Sequence, residues 1–413
     1  MAGSAAEWPH TLDISAIMAR GWRPVPFRDF IVKIHSRCDL SCDYCYIYEM
    51  ADQSWRNQPR RMSGDVAEHA ASRIGEHART HGIADLNLIL HGGEPLLAGH
   101  ELIWKLVTDT RKEAGADVRV RASVQTNAVG LNDSYLRLFR ELGVRVGISL
   151  DGDAEAHDRH RRFASGRGSY AAVSAALERL RDSRFQGLFA GLLCTVDLRN
   201  DPLTTYEALA AFDPPRIDFL LPHGTWDAPP PGRSSDAGHT QYADWLIAIF
   251  DRWYVDPRIG IRLFDEIMCL VLGRASTGEA VGLAPARMVV IETDGSIEQV
   301  DTLKSVKDGA SWTGLHVSRD PLDAALKLPG VVARQLGEMA LSAQCRKCPI
   351  HRVCGGGMYV HRYRSGTGFS NPSVYCPDLM HLIHHVHAVM QADIDTRLRR
   401  KGSDERTEPR AHS

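Results

Sequence analysis

The chain has 413 residues, 44% of them hydrophobic and 24% charged, with a formal net charge of −2. That length exceeds one ordinary domain, and the near-neutral charge offers no general field for nucleic acid or an anionic membrane surface. No apolar run approaches the roughly 20 residues that span a bilayer, and residues 1–8 lack the basic and apolar regions of a signal peptide, so the cytoplasm, where thiols stay reduced, is the expected compartment.

Residues 1–28 read as a leader without a clear element. Residues 29–36 read as a strand that delivers the chain to Cys38-Asp39-Leu40-Ser41-Cys42-Asp43-Tyr44-Cys45. Ser63 N-caps a helix reaching about 78, with Asp65 in its first turn. Strands follow over 86–90, 118–125, 144–150, 188–196 and 217–221, and helices over 99–113, 133–142, 170–180 and 203–211. Strands alternating with helices imply a parallel sheet with right-handed crossovers. Polar motifs sit just after the first four strands, at the sheet edge where ligands bind in such folds. Residues 228–238, rich in Pro, Ser and Gly, read as a linker. Helices over 241–253 and 262–272 come next. A hairpin is expected at 288–300 around Asp294-Gly295, and a long helix over 377–399. The last dozen residues are charged and expected to be disordered.

Of nine cysteines, only Cys194 and Cys269 stand outside two clusters. Both fall in apolar elements and read as small core residues. Clustering in a reducing compartment points to metal binding rather than disulfides. Cys38, Cys42 and Cys45 offer three soft thiolates. No fourth Cys or downstream His completes the set, so a [4Fe–4S] cluster there would keep one iron open to a small molecule. Half of a zinc site is the alternative for this stretch alone. Gly92-Gly93-Glu94-Pro95 allows close backbone approach, and Glu94 can hold a cation. Gln125-Thr126-Asn127 and Ser149-Leu150-Asp151-Gly152 supply amide, hydroxyl and carboxylate groups suited to a ribose and a charged ligand. Arg159, Arg161 and Arg162 compete, within 157–162, for the role of an anion-pairing cation. Cys345, Cys348, Cys354 and Cys376 can complete either a second [4Fe–4S] cluster or a structural zinc site. His10, His81 and the histidines between His381 and His387 show no ligand spacing backed by a nearby Cys.

The Cys triplet with Tyr44 before its last Cys, followed by Gly92-Gly93-Glu94-Pro95, resembles the radical S-adenosylmethionine (SAM) superfamily over roughly 29–225. The C-terminal cysteines resemble a SPASM domain over roughly 285–385. Cys354-Gly355-Gly356-Gly357, His361-Arg362-Tyr363, residues 371–376 and residues 291–296 look like the FxsB type. The resemblance implies an α/β fold. A partial (β/α)6 TIM-like barrel (29–225) would be joined by a linker and bridging helices (226–284) to a SPASM/twitch-like domain (285–395). That domain would carry the hairpin, a Cys-rich loop and the long helix, followed by a disordered tail (396–413).

It further implies a SAM-binding [4Fe–4S] cluster on Cys38, Cys42 and Cys45. SAM would be held by Tyr44, Gly92, Gly93, Glu94, Gln125, Asn127, Ser149, Asp151 and Arg161, with Arg161 pairing the SAM carboxylate. Met358 stands where a full SPASM domain has a further Cys, and the hairpin has none, so one auxiliary [4Fe–4S] cluster is expected on Cys345, Cys348, Cys354 and Cys376. Asp301, aligned with a base of sulfatase-maturing relatives, would act as a proton acceptor. The implied reaction is hydrogen abstraction from a ribosomal precursor peptide and carbon–carbon cross-linking to an aromatic ring (cyclophane formation). A flavodoxin or ferredoxin would supply electrons. Sulfatase-maturase-like oxidation of a protein side chain and a non-catalytic metal-binding scaffold are the alternatives.

Overall fold

The computed structural model describes residues 7–233, 238–276 and 278–407. Residues 1–6, 234–237, 277 and 408–413, which include parts of the expected leader, linker and tail, lie outside the described residues. The leader holds one short helix, α1 (Ile14–Ala19), N-capped by the Asp13 side chain. Phe30, Val32 and Ile34 are then fully buried along β1 (Asp29–His35). α2 (Gly64–Thr80) follows, capped as expected by the Ser63 hydroxyl, which accepts from the Val66 N–H.

Next come β2 (Asp85–Gly92), α3 (His100–Ala114), β3 (Arg119–Thr126), α4 (Asp133–Leu142) and β4 (Arg145–Ser149). Burial alternates along β2 from its second residue to its last, which is why its apolar positions fall on one face. A short helix, α5 (Ala154–His160), leads into the three candidate arginines, where the sequence predicts no element. Asp153 nucleates it by accepting from the Ala156 N–H. α6 (Tyr170–Leu180), β5 (Phe189–Thr195), α7 (Pro202–Ala210) and β6 (Arg216–Leu220) complete six parallel strands in sequential order, the open barrel the alternation implied.

The sheet does not stop there. After α8 (Gln241–Tyr254), β7 (Gly260–Ile261) pairs with β6, and α9 (Arg262–Val271) follows. At the other edge β8 (Met288–Ile291) runs parallel to β1, with Asp29 opposite Met288 and Val32 opposite Ile291. β9 (Ser296–Glu298) turns back on β8, and β10 (Trp312–His316) pairs with β9, giving one ten-stranded sheet. The expected hairpin is therefore an extension of the barrel sheet rather than the sheet of a separate domain. The apolar run of β8 lets it cover the open edge of β1.

Short helices α10 (Pro329–Ala333), α11 (Ala343–Arg346) and α12 (His351–Cys354) lead to α13 (Cys376–Thr407). α13 continues as helix to Thr407, past the point at 396 where a disordered tail was expected. The leader is not loose either: Trp8, Leu12, Ile14, Ile17 and Trp22 pack against Val332, Leu336 and Ala340. Among the described residues, no helix is long and apolar enough to cross a membrane.

Candidate active site and cysteine clusters

The first Cys loop is held from several sides. The Cys45 N–H bonds the Cys42 carbonyl (3.1 Å), folding the loop on itself. The Leu40 N–H lies 3.4 Å from Cys38 Sγ, and Asn127 Nδ2 lies 3.5 Å from the same sulfur and 2.7 Å from Asp39 Oδ1. His160 on α5 reaches Asp43 Oδ1 through Nδ1 (2.6 Å) and Asp197 Oδ2 through Nε2 (3.1 Å). The end of β3, α5 and the loop after β5 thus all hold the loop that carries the three thiols.

Arg161 closes this set. Its guanidinium lies 3.8 Å from Cys42 Sγ, 5.8 Å over the Tyr44 ring and 3.2 Å from Asp151 Oδ2. Burial works against its charge, but Tyr44, Asp151 and the thiols of Cys42 and Cys38 hold it firmly cationic. Arg159 pairs with Asp197 instead, and Arg162 donates to the Asp158 carbonyl, so of the three arginines Arg161 is the one that lines the cavity. Burial raises the thiol pKa of all three cysteines, Cys42 to about 11. Three half-buried thiols facing one cavity suit a cationic metal cluster, which compensates thiolate charge that an apolar pocket alone does not.

A cavity of about 780 Å³ opens over this loop. Cys38, Cys42, Cys45, Tyr44, Gly92, Gly93, Gln125, Asn127, Ser149 and Arg161 all line it. Gly92 has φ +152°, and a Cβ there would run into the His35 carbonyl; one on Gly93 would strike the Tyr48 hydroxyl and the Arg37 backbone. Only glycines let β2 pass this close to the Cys loop.

Three expected site residues are placed otherwise. The Glu94 carboxylate sits behind the wall and accepts from Thr126 Oγ1 (2.7 Å), the Asn127 N–H (2.8 Å) and the Leu96 N–H (3.0 Å). It staples the β2 and β3 ends together rather than facing a ligand, and burial raises its pKa to about 7. Asp151 accepts from the Tyr44 hydroxyl and the Thr195 N–H (2.9 Å) and orients Arg161. Asp301 does not line the cavity. It lies 3.0 Å from Lys33 Nζ, inside a buried group in which Lys33 also pairs with Glu292 (2.7 Å) and Lys304 with Glu292 (2.6 Å) and Glu298 (2.9 Å). The cause is the pairing of β8 with β1, which brings the hairpin carboxylates onto Lys33. Burial opposes ionisation of Glu292, but Lys33 and Lys304 hold its pKa down to about 2; burial and Glu292 push Glu298 up to about 7.

The far wall of the cavity was not foreseen. His223, just after β6, and His361 line it with their rings 5.9 Å apart, and Tyr46 packs edge-on to His223 (5.0 Å). His223 Nδ1, His361 Nε2 and Glu266 Oε2 are buried without hydrogen-bond partners. Burial lowers the His223 pKa to about 4. The available signal was positional: residue 223 follows a strand of a parallel sheet, like the other motifs. Met358, which stands at the position of the missing Cys, also lines this wall.

Cys345, Cys348, Cys354 and Cys376 line one small cavity of about 60 Å³ with Ile350 and Met380. Gly355 has φ +60°, and a Cβ there would strike the Gly282 carbonyl. Arg362 Nη2 donates to the Gly355 and Gly357 carbonyls (both 2.6 Å), fixing the loop after Cys354. Among the described residues, no three cysteine sulfurs lie within 4.8 Å of one another. Four thiolates at one site can hold either a four-iron cluster or a structural zinc. Cys194 is buried in the core and Cys269 lies on α9. His385 bonds Asp251 (2.6 Å) and His381 bonds Thr240 (2.9 Å), clasping α13 to the α8 region.

The model of the radical SAM superfamily matches residues 32–200, from β1 to the loop after β5. Residues 32–200 are a radical SAM domain. Its donor set fits SAM and a SAM-binding [4Fe–4S] cluster, and the C-terminal cysteines fit an auxiliary cluster. The chain is 24% identical over 356 residues to a serine-type anaerobic sulfatase-maturating enzyme of Klebsiella aerogenes, covering 83% of this chain and 82% of the relative. It is 25% identical over 348 residues to a cysteine-type enzyme of Clostridium perfringens, covering 80% and 88%. Among solved structures, native anSMEcpe with bound AdoMet and Kp18Cys peptide has a TM-score of 0.74 at 22% identity, covering 89% of this chain and 99% of that one. Streptococcus suis SuiB bound to precursor peptide SuiA has a TM-score of 0.58 at 12% identity, covering 88% and 78%. These structures share the fold around the radical SAM domain.

Proposed function

We propose that this chain is a cytoplasmic radical SAM enzyme that modifies a ribosomally made peptide, of the FxsB type, by hydrogen abstraction and carbon–carbon cross-linking to an aromatic ring. The observation that carries the reading is the single cavity of about 780 Å³ whose walls run from the Cys loop to His361 and Met358 in the C-terminal half. That volume lies in the upper range for ligand sites, and its far wall is lined by His223, His361 and Glu266, polar side chains that suit a peptide backbone. The relatives' peptide complexes support the same substrate class.

In this reading Cys38, Cys42 and Cys45 hold the SAM-binding cluster, and Arg161, oriented by Asp151, pairs with the SAM carboxylate. Gln125, Asn127 and Ser149 face the rest of the cofactor, and the Gly92-Gly93 backbone lets it sit close to β2. The bound cofactors supply hydrogen-atom abstraction from the substrate, with electrons from a flavodoxin or ferredoxin. Cys345, Cys348, Cys354 and Cys376 hold one auxiliary cluster. Asp301, paired to Lys33 and off the cavity, is left out of the reaction. A second reading, sulfatase-maturase-like oxidation of a Cys or Ser side chain, is favoured by likeness to those enzymes over four-fifths of both chains.

Coexpression with the short open reading frames that neighbour the gene tests the proposal, with mass spectrometry of each peptide. The expected product has lost two hydrogens and resists fragmentation between the joined residues. A hydrazide-reactive aldehyde would select the second reading, and peptides unchanged despite active SAM cleavage would reject both.

A further inference from the structure

We propose that His77, His81 and Asp323 form a binding site for one zinc-class divalent ion that ties α2 to the segment after β10. His77 lies in the last turn of α2, and His81 follows one turn later, its N–H bonded to the His77 carbonyl (3.2 Å). That spacing puts both imidazoles on one side of a helix, the arrangement by which paired histidines grip zinc. Asp323 comes from the 3₁₀ turn Leu322–Lys327, far away in sequence. Its two carboxylate oxygens are divided between the rings: Oδ1 meets His77 Nδ1, and Oδ2 lies 3.0 Å from His81 Nε2. The three donor atoms all lie within 4.8 Å of one another. Two neutral imidazoles and a carboxylate are a usual donor set for zinc with an open fourth position.

The surroundings pre-organise the set. Phe27 (5.6 Å) and Phe30 (5.8 Å) pack against the His77 ring, which is buried, and His81 tilts onto it at 4.6 Å. His81 and Asp323 remain 25% and 35% exposed along their side chains, leaving an entry path and room for a water ligand. No Lys or Arg pairs with Asp323 among the contacts of the described residues; its partners are the two imidazoles. The same two segments also meet where Arg73 Nε donates to the Val317 carbonyl (2.9 Å). His81 reads in the sequence as an isolated histidine because its partners lie one helical turn before it and in a distant segment. This site is separate from both cysteine clusters and does not depend on the function proposed above.

The test uses the cluster-reconstituted protein, stripped with a mild chelator and given one equivalent of Zn²⁺. X-ray absorption should show a nitrogen/oxygen shell at about 2.0–2.1 Å, and crystals should show a zinc-edge anomalous peak between the three side chains. His81→Ala and Asp323→Asn should each weaken zinc binding by at least about 100-fold, since even outer partners of metal ligands are worth 10–100-fold, while iron content is unchanged. A sulfur shell, zinc affinity unchanged in both variants, or wild-type crystals without the peak would overturn the proposal. The last outcome would mean that Asp323 merely accepts hydrogen bonds from two imidazoles. The wild-type spectrum and crystal decide the matter even if a variant misfolds.

Discussion

Arg161 is the side chain on which the proposed cofactor site turns, because it touches a cluster cysteine, the Tyr44 face and Asp151 at once. Arg161→Lys keeps the charge but loses the planar fork that meets a carboxylate with two bonds. SAM affinity of the reconstituted protein, measured by equilibrium dialysis, should fall about 10–100-fold, the worth of a charge-assisted hydrogen bond, with iron retained. Unchanged affinity would remove Arg161 from SAM binding. His157, buried behind it, accepts from the Asp151 N–H (3.3 Å) and bonds Ser169 Oγ (2.9 Å). Burial lowers its pKa to about 4 against an ordinary 6.5. The unfolded chain therefore takes a proton that the folded chain refuses. The contribution is intact above pH 6.5 and is lost as pH falls toward 4, reaching about 3 kcal/mol at 1.36 kcal/mol per pH unit. Thermal melts of His157→Gln should show a flatter acid limb over that window than the wild type; parallel limbs would exclude His157 as the titrating group. At this scale the sequence named most of the cavity wall near the cysteines, since those residues follow strands. It could not tell a ligand-facing carboxylate from one turned inward, as Glu94, Asp151 and Asp301 are, because orientation is set by which strand ends meet.

At the scale of elements, the loops that carry cysteines depend on glycine where another backbone presses close. Gly355 at φ +60° ends α12 against the Gly282 carbonyl. Gly355→Ala combines a left-handed backbone with a backbone clash, a strain of about 1–3 kcal/mol. It should empty the C-terminal site, taking iron per chain from about eight to about four if each site holds four irons, while SAM cleavage continues. Full iron content in the variant would show that the loop tolerates a side chain. Long amphipathic helices and the six parallel strands were legible because their periods are regular. α5 was not, since its signal is one capping Asp before a charged stretch. The reach of α13 to Thr407 was missed because a charged composition reads equally as tail or as solvated helix.

For the whole molecule, the joint between its halves is the pairing of β8 with β1, sealed by Lys33, Lys304, Glu292, Glu298 and Asp301. Lys33→Met fits the space but strips the partner from Asp301 and half the pairing from Glu292. Breaking a buried pair from one side costs about 3–5 kcal/mol, so the denaturation midpoint should drop markedly; a midpoint near wild type would mean that water already enters this joint. The sequence marked the hairpin by its Asp-Gly turn but placed it in a separate domain, because strand order is a long-range property that no local pattern carries. The account's central claim concerns the chemistry of the first Cys loop. The most direct measurement is 5′-deoxyadenosine formed from SAM by the chemically reduced, reconstituted protein, with iron counted in the same sample. The wild type should form it, and the variant with Cys38, Cys42 and Cys45 all changed to Ala should form none while keeping about four irons. A triple variant that still cleaves SAM, or a fully loaded wild type that does not, would contradict the account.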